Sequence, residues 1–155
     1  MIEIRPIQQN EVTEAKRVIF TVAFEVFREA STLEESIAKY SAQGKLSEMD
    51  DVQKNYFENG GTFLVTVDDG RIIGTGAIRW LEEGVCELKR MWLLTEYHGQ
   101  GLGYRMMQEL FKSARERGYK VMRLETDRAV QTRAVNFYRK LGFYEIPRFG
   151  DDPDD

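Results

Sequence analysis

Apolar and polar residues alternate at the start of the chain and then take up a helical spacing. Ile2 and Ile4 alternate with polar neighbours, which predicts a short first strand. Asn10 is a plausible N-cap for the helix that follows. The apolar residues of this predicted helix recur every three or four positions, at Val12, Ala15, Val18, Ile19, Val22 and Val26.

Two shorter helices are predicted before residue 60. Thr32-Leu33-Glu34-Glu35 fits a capping box, in which the Thr side chain and the third following residue satisfy free amides. Ser47 is the predicted cap of a further helix that runs through Phe57. Asn59-Gly60-Gly61 then ends it.

The next segment is rich in β-branched and aromatic residues and predicts three consecutive antiparallel strands. They cover residues 62–67, 71–81 and 85–94. Asp69-Gly70 and Glu83-Gly84 separate them, and both dipeptides are typical of hairpin turns. The first strand and these three make four.

The last third alternates helix and strand. After residues 98–103 an amphipathic helix carries one apolar stripe, made of Leu102, Met106, Met107, Leu110, Phe111 and Ala114. Gly118 stands where a C′ glycine ends a helix. A strand over 121–126, a helix over 131–141 closed by Gly142, and a strand over 143–146 follow. The fourth and fifth strands should be parallel, so the chain is predicted to be mixed α/β.

Composition and charge exclude several classes of protein. The chain has 155 residues, 42% hydrophobic and 31% charged, which fits a single folded domain rather than a disordered chain. Four of the 26 acids lie in residues 151–155, and the 22 that remain equal the 22 bases in number. A formally neutral body with an acidic tail argues against a nucleic-acid partner.

Other features predict the location and exclude metal chemistry. No apolar stretch approaches the roughly 20 residues that span a bilayer, and the first residues do not resemble a signal peptide. We therefore expect a cytoplasmic protein without a membrane partner. Cys86 and His98 are the only residues of their kinds, so neither an internal disulfide nor a metal centre is expected.

The candidate chemistry lies in the loop His98-Gly99-Gln100-Gly101-Leu102-Gly103, between a strand and a helix. Three glycines let the backbone approach a ligand, and free amides at a helix N-terminus favour a phosphate. A tight turn alone is the alternative explanation. The loop lacks the Gly-Lys-Ser/Thr of a P-loop, and the third glycine of a dinucleotide fingerprint would fall at Tyr104.

Three segments in order resemble the GNAT (general N-acetyltransferase) superfamily. The loop at 98–103 is similar to that family's Gln/Arg-x-x-Gly-x-Gly/Ala motif, and residues 87–94, ELKRMWLL, resemble its fourth strand. Residues 134–143, AVNFYRKLGF, resemble its helix-to-strand signature. His98 replaces the usual Gln or Arg of the loop.

This resemblance implies the acyl-CoA N-acyltransferase fold. Its central sheet is mixed and mostly antiparallel, has a parallel, splayed pair of fourth and fifth strands, and is flanked by helices. Residues 1–150 would form one such domain, followed by an acidic tail over 151–155. The chain after residue 146 is short for a regular seventh strand, so the acceptor site would be more open or completed by a second subunit in a homodimer.

The resemblance also implies acetyl-CoA as cosubstrate, without a metal. The loop would hold its diphosphate, and the fourth strand would pair with its pantetheine arm. Gln131 would hydrogen-bond the same arm. The implied binding residues are Met91, Trp92, Leu93, His98, Gly99, Gln100, Gly101, Leu102, Gly103, Gln131 and Tyr138.

The implied reaction is direct attack of a primary amine on the thioester, through a tetrahedral intermediate. Tyr138 matches the family's general acid, whereas an amphipathic core tyrosine is the alternative. Glu87 is the first choice for general base and Glu125 the second. Either could instead form an ion pair on the strand surface, and bulk water could accept the proton. A catalytically silent acyl-CoA-binding or regulatory module is the alternative function.

Two features remain open at this level. His98 could become protonated beside the diphosphate and strengthen binding at lower pH, or it could face solvent. Acidic residues of the early helices, among them Glu34, Glu35 and Glu48, could attract a cationic amine or form a solvated helix face. The sequence identifies the acceptor only as a small-molecule or peptide amine.

Overall fold

The computed structural model describes residues 1–27, 31–126 and 132–147. Its contacts group into two compact units, one from Met1 to Arg123 and the other beyond Arg123. The first unit holds the sheet and three helices. Gln131 and the acidic tail lie outside the described residues.

A five-stranded sheet organises the first unit. Its strands are β1 (Ile2–Pro6), β2 (Thr62–Asp68), β3 (Arg71–Glu82), β4 (Val85–Leu93) and β5 (Val121–Arg123). They lie side by side in sequence order. Among the first four strands, neighbours are antiparallel to one another, and β4 and β5 are parallel. The mixed α/β fold is confirmed, although β5 is shorter than the predicted 121–126.

Four α-helices are described: α1 (Val12–Phe27), α2 (Leu33–Ala42), α3 (Leu102–Glu116) and, in the second unit, α4 (Thr132–Lys140). Thr32 caps α2 as predicted, because its hydroxyl oxygen accepts a hydrogen bond from the Glu35 amide at 3.2 Å. Gly118 and Gly142 follow α3 and α4 with φ values of 83° and 98°, as helix-ending glycines do. Among these described helices, none joins the length to the apolar character needed to cross a membrane.

Two predicted helix starts are wrong. Asn10 lies inside a 3₁₀ turn, Gln9–Glu11, and the helix start is held by the Gln8 amide, which donates to Glu11 Oε1 at 2.9 Å. Ser47 begins a 3₁₀ turn, Ser47–Asp51, after Leu46 in the left-handed region, and a π-helical turn, Gln53–Phe57, follows. A regular helix is not formed here because contacts of this segment with the sheet prevail over its helical pattern.

The predicted strand over 143–146 is also wrong. The structure assigns no strand to residues 143–147, and Tyr144 is 84% exposed. The Phe143 amide instead donates to the Tyr138 carbonyl at the end of the preceding helix.

The sheet is covered on both faces. Phe63, Val65 and Ala77 belong to a core cluster with the buried side of α1. The opposite face carries α3, whose Met106 lies against Gly76 of β3; a Cβ at Gly76 would stand 2.9 Å from Met106 Cγ. These two layers leave the C-terminal half of β4 and the start of α3 to form the candidate site.

Candidate functional site

The C-terminal half of β4 has an open edge in the described structure. Val85, Cys86 and Glu87 pair with the three residues of β5, whereas β4 continues six residues further to Leu93. On its other edge β4 adjoins β3, with which Trp92 and Leu93 pair and beside which Met91 lies. All three residues are half-buried. The parallel pairing confirms the prediction, and its early end agrees with the splay that the family resemblance implies.

A β-bulge shapes this part of β4. Between the pairs Thr75–Trp92 and Ala77–Lys89, β3 contributes one residue and β4 contributes two, Arg90 and Met91. Arg90 has a φ of 55°, an unusual value for a residue with a side chain. The Thr75 hydroxyl donates a hydrogen bond to the Arg90 carbonyl at 2.7 Å and so fixes the bulge.

A half-buried ionic network holds the Arg90 side chain. Arg90 Nε donates to Glu48 Oε1 at 2.6 Å, and the hydroxyl of the fully buried Tyr56 donates to the same oxygen at 2.9 Å. Although burial opposes ionisation, the Arg90 guanidinium keeps the pKa of Glu48 below its ordinary value. The 47–57 segment is therefore tied to β4 at the bulge.

The glycine loop presents its amides to open space. Gly99 and Gly101 have φ values of 83° and 78°, which glycine adopts without strain. The amides of Gly99, Gln100 and Gly101 donate no hydrogen bond to any described residue. Apart from the adjacent residues of the chain, no heavy atom of the described residues lies within 4 Å of the position a Cβ would take at Gly99 or Gly101.

Helix α3 starts directly after this loop. Gly101 is its N-cap, and the Gly101 carbonyl accepts from the Arg105 amide at 3.0 Å. Leu102 and Gly103 open the helix, where the first amides lack intrahelical partners. Loop amides and helix start together fit a diphosphate by number of donors and by charge.

His98 faces the backbone of β4. Its Nε2 lies 2.9 Å from the Leu93 carbonyl oxygen, and since a carbonyl only accepts, Nε2 carries the hydrogen. The ring is half-buried and so does not simply face solvent. A carbonyl oxygen has two lone pairs, so Leu93 can accept a second hydrogen bond from a ligand.

Glu87 is buried, with 8% of its surface exposed, and it forms a cross-strand ion pair. Arg79 Nε donates to Glu87 Oε1 at 3.1 Å. This contact matches the alternative explanation of Glu87 as an ion-pair residue. Glu125, the second choice for general base, is exposed and lies beyond the end of β5.

Tyr138 lies on α4 in the second unit. Its ring contacts those of Phe137 and Phe143, with centroid distances of 5.5 and 5.6 Å. The Phe143 amide donates to the Tyr138 carbonyl at 3.1 Å across the Gly142 turn. Burial raises the pKa of the Tyr138 phenol, so the phenol keeps its proton at neutral pH, as a general acid must. Gln131 lies outside the described residues.

Sequence reasoning missed the charged side chains around the bulge. Glu48 was interpreted only as one of several surface acids, and Lys89, Arg90 and Tyr56 were given no role. Nothing in the local pattern joins Glu48 to Arg90, because 42 residues separate them and the bulge is a tertiary feature.

Known proteins match both the sequence and the fold. A model of the Acetyltransferase (GNAT) family matches residues 28–143. Uncharacterized N-acetyltransferase YjgM of Escherichia coli K12 is 33% identical over 101 residues, which are 63% of this chain and 60% of that protein. The chain spans about half to three fifths of the length of the curated relatives it matches first.

Two crystal structures of low sequence identity share the fold. An acetyltransferase of the GNAT family from Staphylococcus aureus Mu50 superposes with a TM-score of 0.81 at 22% identity, covering 99% of this chain and 90% of that one. PaiA N-acetyltransferase from Thermoplasma acidophilum, in complex with coenzyme A, gives 0.77 at 24% identity, covering 98% and 95%.

Proposed function

The chain belongs to the Acetyltransferase (GNAT) family, and on this premise we propose that it moves an acetyl group from acetyl-CoA to a primary amine. The amine is a small molecule or a peptide. Transfer is direct, through a tetrahedral intermediate, and no covalent acyl-enzyme forms.

One observation carries the proposal: unpaired amides at the start of α3 adjoin an open edge of β4. Gly99, Gln100 and Gly101 present donors that suit the diphosphate of coenzyme A. The edge from Leu88 to Leu93 suits the pantetheine arm, whose amides can extend the sheet as a strand does. The two features follow each other along the chain, as a single extended ligand requires.

The reaction needs a hydrogen-bond donor for the thioester oxygen, an acid that protonates the departing sulfur, and a base that accepts the amine proton. The neutral amine nitrogen attacks the thioester carbonyl carbon, and a β4 amide hydrogen-bonds the developing oxyanion. The carbon–sulfur bond then breaks, and Tyr138 gives its proton to the departing thiolate. The attacking nitrogen, which becomes positively charged in the intermediate, passes its proton to Glu87 or to water. The acetylated amine and free coenzyme A leave, and proton exchange with solvent restores the Tyr138 phenol and the base.

The coenzyme site can be tested with a matched pair of variants at the helix cap. Gly101→Asp places a carboxylate beside the diphosphate, whereas Gly101→Asn has nearly the same shape and the same tolerance for a positive φ. We expect the Asp variant to bind coenzyme A at least about tenfold more weakly than the Asn variant. Equal affinities by calorimetric titration would remove the diphosphate from this loop.

A catalytically silent acyl-CoA-binding module is the alternative. Thiol release from acetyl-CoA with a panel of amines separates the two functions, with mass detection of the acetylated product. Binding of coenzyme A without turnover on any amine would favour the module.

A further inference from the structure

Five charged side chains gather around β4 on the face that α1 covers. Two carboxylates are each neutralised by one arginine: Glu87 by Arg79 at 3.1 Å, and Glu48 by Arg90 at 2.6 Å. The fifth member, Lys89, lies between Glu87 and Arg90 along β4. The group, which we call the β4 charge cluster, thus contains three cations and two carboxylates.

Lys89 is the member without a partner. Each carboxylate is already engaged, and no described residue forms a hydrogen bond or an ion pair with the Lys89 ammonium. Lys89 pairs with Ala77 in the same register that pairs Glu87 with Arg79, so its side chain emerges on that same face. The side chain is half-buried, which leaves it reachable.

The surroundings make this unpaired charge unfavourable. Burial lowers the pKa of Lys89, and the neighbouring Arg90 cation lowers it further. Glu87 and Glu48 act in the opposite sense, and Arg79 adds to the lowering. An anion that reached Lys89 would complete the charge balance of the cluster.

The position of Lys89 separates it from the proposed diphosphate site. Leu93 lies four residues beyond Lys89 along β4, a length of roughly 13 Å in an extended strand, and the glycine loop begins after Leu93. A diphosphate held by the loop is therefore out of reach of Lys89. The acetyl end of the pantetheine, extended along the open edge, comes near it instead, and so does the amine that attacks there.

We propose that Lys89 binds an anionic group, a carboxylate or a phosphate, on the acceptor, so that the acceptor is a primary amine that also carries a negative charge. This inference rests on the proposed function. It makes Lys89 a specificity-determining residue. It differs from one of the two explanations given for the early acidic residues, that they attract a cationic amine.

The test compares acceptors that differ only in the anionic group. Amino acids are compared with their carboxamides, and phosphoethanolamine is compared with ethanolamine; the two arms distinguish carboxylate from phosphate. The variants are Lys89→Met, which keeps the length without the charge, and Lys89→Arg, which restores it. Lys112→Met is the matched control, because Lys112 is exposed on α3, which packs on the opposite face.

We expect the wild type to prefer the anionic member of at least one pair. Lys89→Met should lower kcat/KM for that member by about tenfold or more and leave the neutral member and coenzyme A affinity nearly unchanged. Lys89→Arg should restore part of the loss, and Lys112→Met should behave as the wild type. Equal losses for both members, or a wild type without the preference, would overturn the proposal.

A binding measurement keeps the inference testable if no amine is acetylated, an outcome that would count against the proposed function. The protein saturated with coenzyme A is then titrated calorimetrically with the N-acetylated acids and N-acetylated phosphoethanolamine of the panel. Weaker binding to Lys89→Met than to the wild type supports the anion site. No binding, or equal binding, refutes it.

Discussion

Two side chains of the described structure are held in their neutral forms by burial. Cys86 is fully buried in β4, and burial raises the pKa of its thiol to about 11. Burial also raises the pKa of the Tyr138 phenol. A protonated thiol is a poor nucleophile and a protonated phenol is a proton donor, so both residues suit direct transfer without an acyl-enzyme.

Cys86→Ala tests whether the thiol takes part. We expect acetyl transfer to stay within about threefold of the wild type, with a stability loss of about 1 kcal/mol from the lost sulfur. Steady-state thiol release and chemical denaturation measure the two effects. If Cys86 were a covalent nucleophile, Cys86→Ala would instead abolish transfer. The wild-type thiol would then react rapidly with a disulfide reagent at pH 8.

Tyr138→Phe tests the general acid. Because only the hydroxyl is lost, kcat should fall by about 100-fold or more, while coenzyme A affinity by calorimetry should change little. The wild-type rate should not decline on the alkaline side up to about pH 9, since the Tyr138 pKa lies above its ordinary value near 10. An unchanged kcat would leave Tyr138 as a packing residue.

At the residue scale, some site residues could be predicted from their neighbours in sequence and others could not. The loop glycines were predicted as binding residues from a motif. Gly99 and Gly101 do adopt positive φ values, and their role in binding stays a prediction. Lys89 and Glu48 had no such signal, because an unpaired cation or a buried ion pair depends on which distant side chains approach. Sequence spacing does not carry that information.

At the scale of elements, β4 is defined by what pairs with it and where pairing stops. The bulge at Arg90 and the early end of β5 create an open edge that a regular sheet would close. The Glu48–Arg90 pair ties the 47–57 segment to this bulge. The first strand was predicted from alternation and the next three from their β-branched and aromatic residues and turns, whereas the bulge and the length of β5 were not predicted.

Glu48→Gln tests that tie. We expect a loss of about 2 kcal/mol at pH 7, because the Arg90 guanidinium loses its counter-charge in a half-buried place. The pKa of folded Glu48 is lowered, so its contribution is present above the unfolded pKa and is lost as pH falls through the folded pKa. The difference between wild type and variant should therefore shrink below about pH 4.

The control for this pair is Glu34→Gln. Glu34 pairs with Arg17 in an exposed place, with 70% of its side chain accessible, so little change is expected. Denaturant unfolding across pH measures both variants. If Glu48→Gln changed the free energy of unfolding as little as Glu34→Gln does, the Glu48–Arg90 pair would contribute little to stability.

A pair of glycines tests the packing of the strands. A Cβ at Gly61 would stand 1.8 Å from the Ile78 carbonyl oxygen, and backbone cannot yield as a flexible side chain can. Gly61→Ala should cost about 3 kcal/mol or more. Gly70 has a φ of 88° and open space around its Cβ position, so Gly70→Ala should cost only about 1–2 kcal/mol of backbone strain. Equal costs by denaturant unfolding would contradict the steric argument.

At the scale of the whole molecule, the proposed cosubstrate links folding to function. The sequence predicts one domain over residues 1–150, and the described residues group into two compact units. One domain over this range predicts that both units unfold in a single cooperative transition.

Calorimetric unfolding with and without acetyl-CoA tests it. One transition is expected, and ligand at 100 times its Kd should stabilise it by about 2.7 kcal/mol. At the same ligand concentration, Gly101→Asp should lose about half of this stabilisation or more, while Gly101→Asn keeps most of it. Two separate transitions, of which acetyl-CoA shifts only one, would contradict the single-domain prediction.

The sequence by itself determined the strands, the main helices, the mixed sheet and the family resemblance, because these rest on hydrophobic periodicity and on short motifs whose residues are neighbours along the chain. Tertiary structure decided the rest: the bulge at Arg90, the end of β5 at Arg123, the irregular 47–57 segment and the β4 charge cluster. The physical reason is that each depends on contacts between residues far apart in sequence. Whether Lys89 finds a carboxylate was settled by how the chain folds around it.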